Sequence, residues 1–570
     1  MSKHPLSPAP LPPSKRIHTA HEEHLGELQP SFDTVLSDEI ILFVFSYLAP
    51  ADLCAVQRTN RNLFRLSLDN QLWKSLYISE YGRTRLRGAR GFIGRTDGRE
   101  IKPLPGRALS ADIKDWKWMF RISSNWRTGR CSLEHLDLVN SPRQMSHKRS
   151  LHPTHLLLSG NLTLMASSIP STMPTILLSS PAHDPYRVPC LSSHSTHPCH
   201  ITALALDQSP PSSGHHGRLI CFLSTGQFTS FTIDHQAPAS STRTFTYQQA
   251  ARISDRSPII QAAYHHPLLV TLSQSFRVSL YDLSSHVVRH TQTLNSYTSY
   301  PPTSLVLSSQ SPSSYKLVIA YAIPVYPSHW SVGATELIIS NAVGSTMTVS
   351  SSRTARAIDT PQGFIDEVKM RAVQDQWSRK VIRVADTQTD GKWVVLAPGP
   401  RVPREVPGPS RSGGRNTSIS ASSSASSISS SSTHSSSSMS GTTYSSSSLH
   451  TASGLQLYRV SFPSSTTSLS SPKLTYVRTL HGQIGPVSNL ALADGRCVSL
   501  GVNNSIWVWD LEAGTGTEVS PGISDPDDDS EGYEAATLRL RAGLRGAVVF
   551  DDRRIVSSHG AEVEIRRFDV

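Results

Sequence analysis

Three segments of the chain superimpose almost residue for residue: Val270 to Asp282, Val498 to Asp510 and Val556 to Asp569. Each is an apolar run, a break of small polar residues and a second, alternating run, closed by an aromatic and an aspartate: Tyr281-Asp282, Trp509-Asp510 and Phe568-Asp569. The phase agrees within one residue. A repeated strand–turn–strand unit commits a chain to short antiparallel strands, because period-two alternation cut by turn residues does not suit a helix. Further short apolar runs, Ile201 to Leu206, Arg218 to Leu223, Gln227 to Ile233, Ile259 to Tyr264 and Leu268 to Leu272, fall between Gly, Pro and Ser breaks. From residue 131 onward the helical period disappears, and an all-β domain is expected over 131–570.

The block from His481-Gly482 to Trp509-Asp510 resembles a WD-repeat. The resemblance implies a β-propeller in which His481, Ser499 and Trp509 hold a structural hydrogen-bond network. Asn503 stands where the family has its turn aspartate, and Asp510 completes the closing dipeptide. Tyr281 and Phe568 replace tryptophan in the other repeats. The length left after a Ser-rich stretch is set aside accommodates seven blades of about 40 to 45 residues, with six or eight also fitting. The last repeat stops at Phe568-Asp569-Val570, the end of a third strand. A blade lacking its outer strand presents an unpaired edge, so the alternating segment Cys131 to Leu138 is expected to pair there and latch the ring.

The front of the chain has a different texture. Residues 1–30, rich in Pro and His without periodicity, read as a disordered tail. Ser37 is then a candidate N-cap for a short helix in which Ile40, Ile41, Val44, Phe45 and Leu48 recur at helical spacing, with Asp38 and Glu39 in the first turn. Pro50 suits the first position of a second helix carrying Leu53 and Val56; Asn60 caps a third with Leu63, Phe64 and Leu66; Asp69 or Asn70 opens a fourth with Leu72, Trp73, Leu76 and Tyr77. Four short helices enclose only a thin core, which leaves apolar surface for another chain. Leu36 to Leu53, followed by Asp69 to Tyr77, is similar to the F-box, although Leu36-Ser37 stands where the family usually has Leu-Pro and Leu63 where it often has an aromatic. The resemblance, over residues 31–82, implies binding to a Skp-type adaptor and through it a cullin, with Leu36, Ile40, Val44, Leu48, Pro50, Leu53, Leu72 and Trp73 as the adaptor contacts. A linker helix is expected over 110–130, capped by Ser110, with Ile113, Trp116 and Phe120 on one face. It runs into Asn125-Trp126 and Gly129-Arg130, which resembles the corresponding segment of F-box proteins that carry WD-repeat propellers.

Charge and composition narrow the function classes. The net charge is +11, and residues 83–109 form a basic loop in which Arg83, Arg85, Arg87, Arg90, Arg95, Arg99, Lys102 and Arg107 face only Asp97 and Glu100. No stacking or recognition-helix signature accompanies it, so nucleic acid is not an expected partner. The 6 cysteines form no C-x-x-C pair, as suits a reducing compartment. No apolar stretch suggests a secretory signal or a spanning helix, so the chain is expected to be soluble, in cytoplasm or nucleus and away from membranes. Residues 399–453 are Ser-rich and are read as a disordered insertion between the second and third strands of one blade. The acidic run Asp525 to Glu531, with Ser524 and Ser530, reads as another solvated loop.

The sequence supplies no convincing chemistry. His21-Glu22-Glu23-His24 is one residue short of the spacing that aims two imidazoles at one zinc. Cys190, His194, His197, Cys199 and His200 are irregularly spaced for a metal, and their surroundings read as loop. No phosphate-binding glycine loop or nucleophile elbow is present. No catalytic residue, metal or cofactor is therefore assigned. The function expected is a non-catalytic substrate-recognition subunit of a Skp/cullin/F-box-type ubiquitin ligase. Its propeller face would hold a protein target, phosphorylated or not, for ubiquitination and proteasomal degradation. The alternative is a ligase-independent scaffold.

Overall fold

The computed structural model describes residues 32–82, 108–137, 153–399, 454–520 and 546–570, less residues 111–112 and short loops within those ranges. The expectations for the N-terminal tail, the basic loop, the zinc-protease look-alike, the Ser-rich insertion and the acidic run fall outside the described residues. The chain divides into two compact units, with the break between Ile78 and Ser79.

The first unit contains helices α1 (Phe32–Val35), α2 (Asp38–Phe45), α3 (Pro50–Val56), α4 (Arg61–Ser67) and α5 (Asn70–Tyr77). Local chemistry sets their boundaries. The Asn60 side chain accepts from the Leu63 amide at 2.8 Å, the Asp69 carboxylate accepts from the Gln71 and Leu72 amides at 2.9 Å, and Pro50 opens α3. Ser37 sits at the N-cap of α2 in extended geometry but makes no side-chain cap bond. Ile41, Phe45, Leu53, Leu66, Leu72, Trp73 and Tyr77 are buried, and the Trp73 indole donates to the Ser67 carbonyl at 2.7 Å. Each such side chain contributes about 1.5–3 kcal/mol by leaving water, which makes this a small core resting on few residues.

The second unit begins with a two-stranded ribbon, β1 (Ala108–Ser110) and β2 (Ile113–Lys114), and helix α6 (Trp116–Thr128). The linker helix thus starts six residues later than the sequence suggests. Ser110 lies in the ribbon, and the Asp115 carboxylate caps the helix by accepting from the Trp118 amide at 3.0 Å.

Seven four-stranded antiparallel sheets follow. Blade 1 is β4 (Thr154–Ser159), β5 (Leu162–Ser167), β6 (Thr175–Ser180) and β7 (His183–Pro189). Blade 2 is β8 (Ile201–Leu206), β9 (Arg218–Leu223), β10 (Gln227–Thr232) and β11 (Thr242–Gln248). Blade 3 is β12 (Ile259–His265), β13 (Leu268–Ser273), β14 (Arg277–Asp282) and β15 (Arg289–Asn295). Blade 4 is longer, with β16 (Tyr300–Ser311), β17 (Ser314–Val325), β18 (His329–Asn341) and β19 (Met347–Arg356). Helix α7 (Glu367–Ser378) then leads to blade 5: β20 (Val384–Thr389), β21 (Trp393–Pro398), β22 (Leu455–Ser461) and β23 (Lys473–Leu480). Blade 6 is β24 (Val487–Ala493), β25 (Arg496–Gly501), β26 (Ile506–Asp510) and β27 (Thr515–Ser520), and blade 7 is β28 (Ala547–Phe550), β29 (Arg554–His559) and β30 (Glu562–Arg567) with β3 (Ser132–Asp137). The first strand of each blade adjoins that of the next, and β28 of blade 7 adjoins β4 of blade 1, so the ring is closed.

The latch is the one the sequence implies. β3 pairs antiparallel with β30 from Ser132↔Arg567 to Asp137↔Glu562, covering an edge that would otherwise be open. Arg554 ties blade 7 to blade 1: its buried guanidinium donates to the Gly160, Asn161 and Leu162 carbonyls of blade 1 at 2.8–3.2 Å and pairs with Asp551 at 3.1 Å. The Ser-rich insertion leaves between β21 and β22, the second and third strands of blade 5, as expected.

Helix α7 is a departure from the strand-only reading of this region. Asp366 caps it by accepting from the Lys369 amide at 2.7 Å, and Glu367 pairs with Arg371 one turn on at 2.5 Å. None of its residues is fully buried, although Met370, Val373 and Trp377 recur at helical spacing, a signal the strand reading passed over.

Candidate protein-interaction surfaces

Burial divides the proposed adaptor contacts in two. Ile40 and Val44 are exposed along α2, and Leu36, Leu48 and Pro50 are half-buried. Leu53, Leu72 and Trp73, at 0%, 6% and 2% exposure, have no surface to offer. They are the interior of the helical unit, because each lies on the side of its short helix that faces the other helices, and their apolar character serves packing. The exposed apolar set includes side chains not named as contacts from the sequence: Phe43, Tyr47, Phe64 and Leu68. Phe43 and Tyr47 stand four residues apart with ring centroids 5.2 Å apart, edge to face. Their signal was the same i, i+4 spacing that picked out Ile40 and Val44.

The network of the WD-like repeat exists, with one member changed. The Trp509 indole donates to Ser499 Oγ at 2.8 Å, Ser499 Oγ donates to Gln483 Oε1 at 2.6 Å, Gln483 Nε2 donates to Ser505 Oγ at 3.4 Å, and Ser505 Oγ donates to Asn503 Oδ1 at 2.8 Å. His481 is exposed, and Gln483, two residues on, takes its place because its amide both accepts and donates. Asp510 lies outside the relay and caps the next turn, accepting from the Glu512 and Ala513 amides at 3.0 Å. Gly501 is required here: a Cβ would lie 2.4 Å from both Asn503 Oδ1 and Ser505 Oγ.

Strand register also corrects one equivalence. Val498 pairs with Val508 in blade 6, whereas Val556 pairs with Ile565 in blade 7. The residue in register with Trp509 is therefore Arg566, and its guanidinium donates to Ser557 Oγ at 3.2 Å as the Trp509 indole does to Ser499. Phe568 is freed for another task. It stacks on Trp126 of α6 at 4.0 Å, while the Trp126 indole donates to the Asp552 carbonyl at 2.9 Å and Asn125 Nδ2 donates to the Phe568 carbonyl at 2.8 Å. Gly129 ends the helix at φ +75°, where a Cβ would come within 2.6 Å of the Glu518 carbonyl oxygen. Asn125, Trp126 and Gly129 thus bolt α6 to the ring, at the end of the strands where β28 finishes and β30 exits.

The two faces of the ring differ. One carries the connections between blades and between second and third strands, including α7 and the departure of the Ser-rich insertion. On it Tyr297, Phe364, Ile365, Val368, Ile382 and Ile484 are exposed. On the opposite face, which holds α6, the exposed large apolar side chains among the described residues are Val287 and Val570.

Buried titratable groups serve packing. Cys190 and Cys199 do not lie in an open loop; they are core between blades 1 and 2, with Cys190 Sγ 3.6 Å from Cys221 Sγ. Burial, aided by the Cys190 hydrogen bond, raises the Cys221 thiol well above its usual range. His155 is pulled down to about 4 by desolvation; its Nε2 contacts Ser168 Oγ at 2.9 Å and the Ile201 carbonyl at 3.2 Å. Among the described residues no three His, Cys, Asp or Glu side chains are placed to hold a metal ion, and no helix is long and apolar enough to cross a membrane.

A short helical module with an unpartnered apolar ridge, followed by a closed seven-bladed propeller, defines the class: an F-box-like region joined to a WD-type ring. Residues 38–79 match the F-box-like family. Residues 187–531 match the family described as F-box protein pof12 beta-propeller, and the chain belongs to that family. No curated protein matches. Similar solved structures include the Myceliophteria thermophila Cps50 (Swd1) beta-propeller domain, at 9% identity and a TM-score of 0.35 over 76% of this chain and 99% of that one. The WD40 beta propeller domain of Doa1 is similar at 9% identity and a TM-score of 0.34, over 76% of this chain and 97% of that one. The chain is thus of the F-box substrate-recognition type, an architecture that is typically a non-catalytic adaptor.

Proposed function

We propose that this chain is the substrate-recognition subunit of a cullin-based ubiquitin ligase. Ile40, Phe43, Val44 and Tyr47 of the helical unit engage a Skp-type adaptor, and the apolar face of the ring holds a protein target, in cytoplasm or nucleus. The observation that carries this reading is the apolar ridge of α2, which a 46-residue helical unit, residues 32–77, exposes instead of burying. Solvent exposure of such a row costs apolar hydration unless another chain covers it. Tethering then converts a chance encounter between target and transfer enzyme into one set by effective concentration, so the receptor needs no catalytic group of its own.

Affinity recovery of the full chain tests this. The wild type brings down adaptor and cullin together, and Phe43→Asp with Tyr47→Asp loses both, a drop of about thirtyfold or more if the pair behaves as an interface hot spot worth about 2 kcal/mol. Adaptor recovered without cullin supports the ligase-independent scaffold instead. Undiminished recovery by the double variant removes the α2 ridge from the interface.

A further inference from the structure

The ring's outer edge is guarded by arginine almost to the exclusion of lysine. Unpaired edge strands are usually blunted by charged side chains, lysine above all. Here the outer strands carry Arg187 on β7, Arg243 on β11, Arg289 on β15, Arg353 and Arg356 on β19, and Arg478 on β23, against the single lysine Lys473 on β23. The whole sequence has 12 lysines against 42 arginines. Among the described ring residues lysine occurs at 316, 369, 380, 392 and 473, and four of these make contacts. Lys316 is paired with Glu336 at 2.6 Å and only 13% exposed, Lys392 is paired with Glu512 at 2.8 Å, and Lys380 lies 5.6 Å from the Trp377 ring centroid. Lys369, whose Nζ donates to the Phe364 carbonyl at 2.9 Å, and Lys473 are the exposed pair.

The two cations are equivalent as edge guards and as charges, but not as nucleophiles. A lysine ammonium loses a proton to give a free amine, whereas the delocalised guanidinium stays protonated with no lone pair to offer. We infer that the ring's cationic surface is arginine-built so that the ring is a poor acceptor for the ubiquitin transfer it directs, with Lys369 and Lys473 as the residual modification sites among its described residues. This rests on the ligase reading above. In the reaction avoided, a lysine Nζ attacks the C-terminal carbonyl carbon of ubiquitin held as a thioester on a carrier enzyme. The isopeptide C–N bond forms, the C–S bond breaks, and the amine proton leaves with the cysteine thiol. A receptor sits within reach of that thioester for as long as it holds a target, so any amine on its rim competes at high effective concentration.

The test expresses the full chain with Arg187→Lys, Arg243→Lys, Arg289→Lys and Arg356→Lys combined, and each change singly so that a folding defect in the combination does not hide the result. Charge and edge protection are kept. Ubiquitin conjugates on the new lysines are expected to rise by about threefold or more over wild type, as tethered acceptors should, with a shorter half-life that a proteasome inhibitor restores. Lys369→Arg with Lys473→Arg is expected to remove most conjugates from the wild-type ring. No gain in the arginine-to-lysine variants, while adaptor and cullin are still recovered, overturns this inference and leaves the ligase reading standing. Failure to recover cullin with the wild-type chain overturns both.

Discussion

The helical unit and the ring answer the same problem in opposite ways. Residues 32–77 enclose a core of a few side chains and leave Ile40, Phe43, Val44 and Tyr47 in water, so their stability rests on individual residues and their surplus apolar surface is a demand for a partner. The ring distributes its burial over seven sheets whose strongest constraint is topological: β3 and Arg554 close it, and its exposed apolar side chains gather on the face away from α6. A small unit is therefore sensitive to one side chain, and a closed ring to the loss of one strand.

That contrast can be broken most directly at the latch. Deleting residues 131–139 removes β3 and exposes β30; the ring is expected to lose its single cooperative transition in calorimetry, while the wild type keeps it. A sharp, unshifted transition in the deletion variant would show that the seven blades do not depend on closure. The next largest effect belongs to Leu53→Asp, which places an unpaired carboxylate at a site with 0% exposure and should cost more than about 4 kcal/mol. Proteolysis is then expected to clip residues 32–77 and spare the ring, in contrast to Phe43→Asp and Tyr47→Asp, which lose the partner and keep the fold.

Within the ring a single polar deletion should matter less. Ser499→Ala orphans the Trp509 indole and Gln483 Oε1 and should cost about 1–3 kcal/mol, read as a lower urea midpoint with an unchanged slope. Another effect within the ring depends on pH. His155 titrates near 4 in the fold against its ordinary 6.5, so the unfolded chain takes up a proton first as pH falls. Its contribution is therefore present above about pH 6.5 and is lost progressively down to about pH 4. His155→Gln should flatten that part of the stability profile, and an unchanged acid slope would exclude the residue as a source of it.

Much of this organisation was legible in the residues alone. The repeated aromatic-aspartate endings announced short blades, and the alternation of residues 132–137 announced the strand that pairs with β30, because hydrogen-bond pairing and period-two burial are local properties of a strand. The helix caps at Asn60 and Asp69 were readable for the same reason. What failed was any assignment that depended on which way a side chain turns after packing. Leu53, Leu72 and Trp73 look no different in sequence from Val44, yet only the crossing of short helices decides which of them is sealed. Arg566 could not be matched to Trp509 until register was known, and Gln483 displaced His481 through geometry two residues away. Composition and periodicity determined the elements and their order, since those follow from each residue's own backbone and its nearest neighbours. The choice between core and contact, and the placing of the exposed aromatics on one face of the ring, was made only by the fold, because burial belongs to side chains distant in sequence that meet in space.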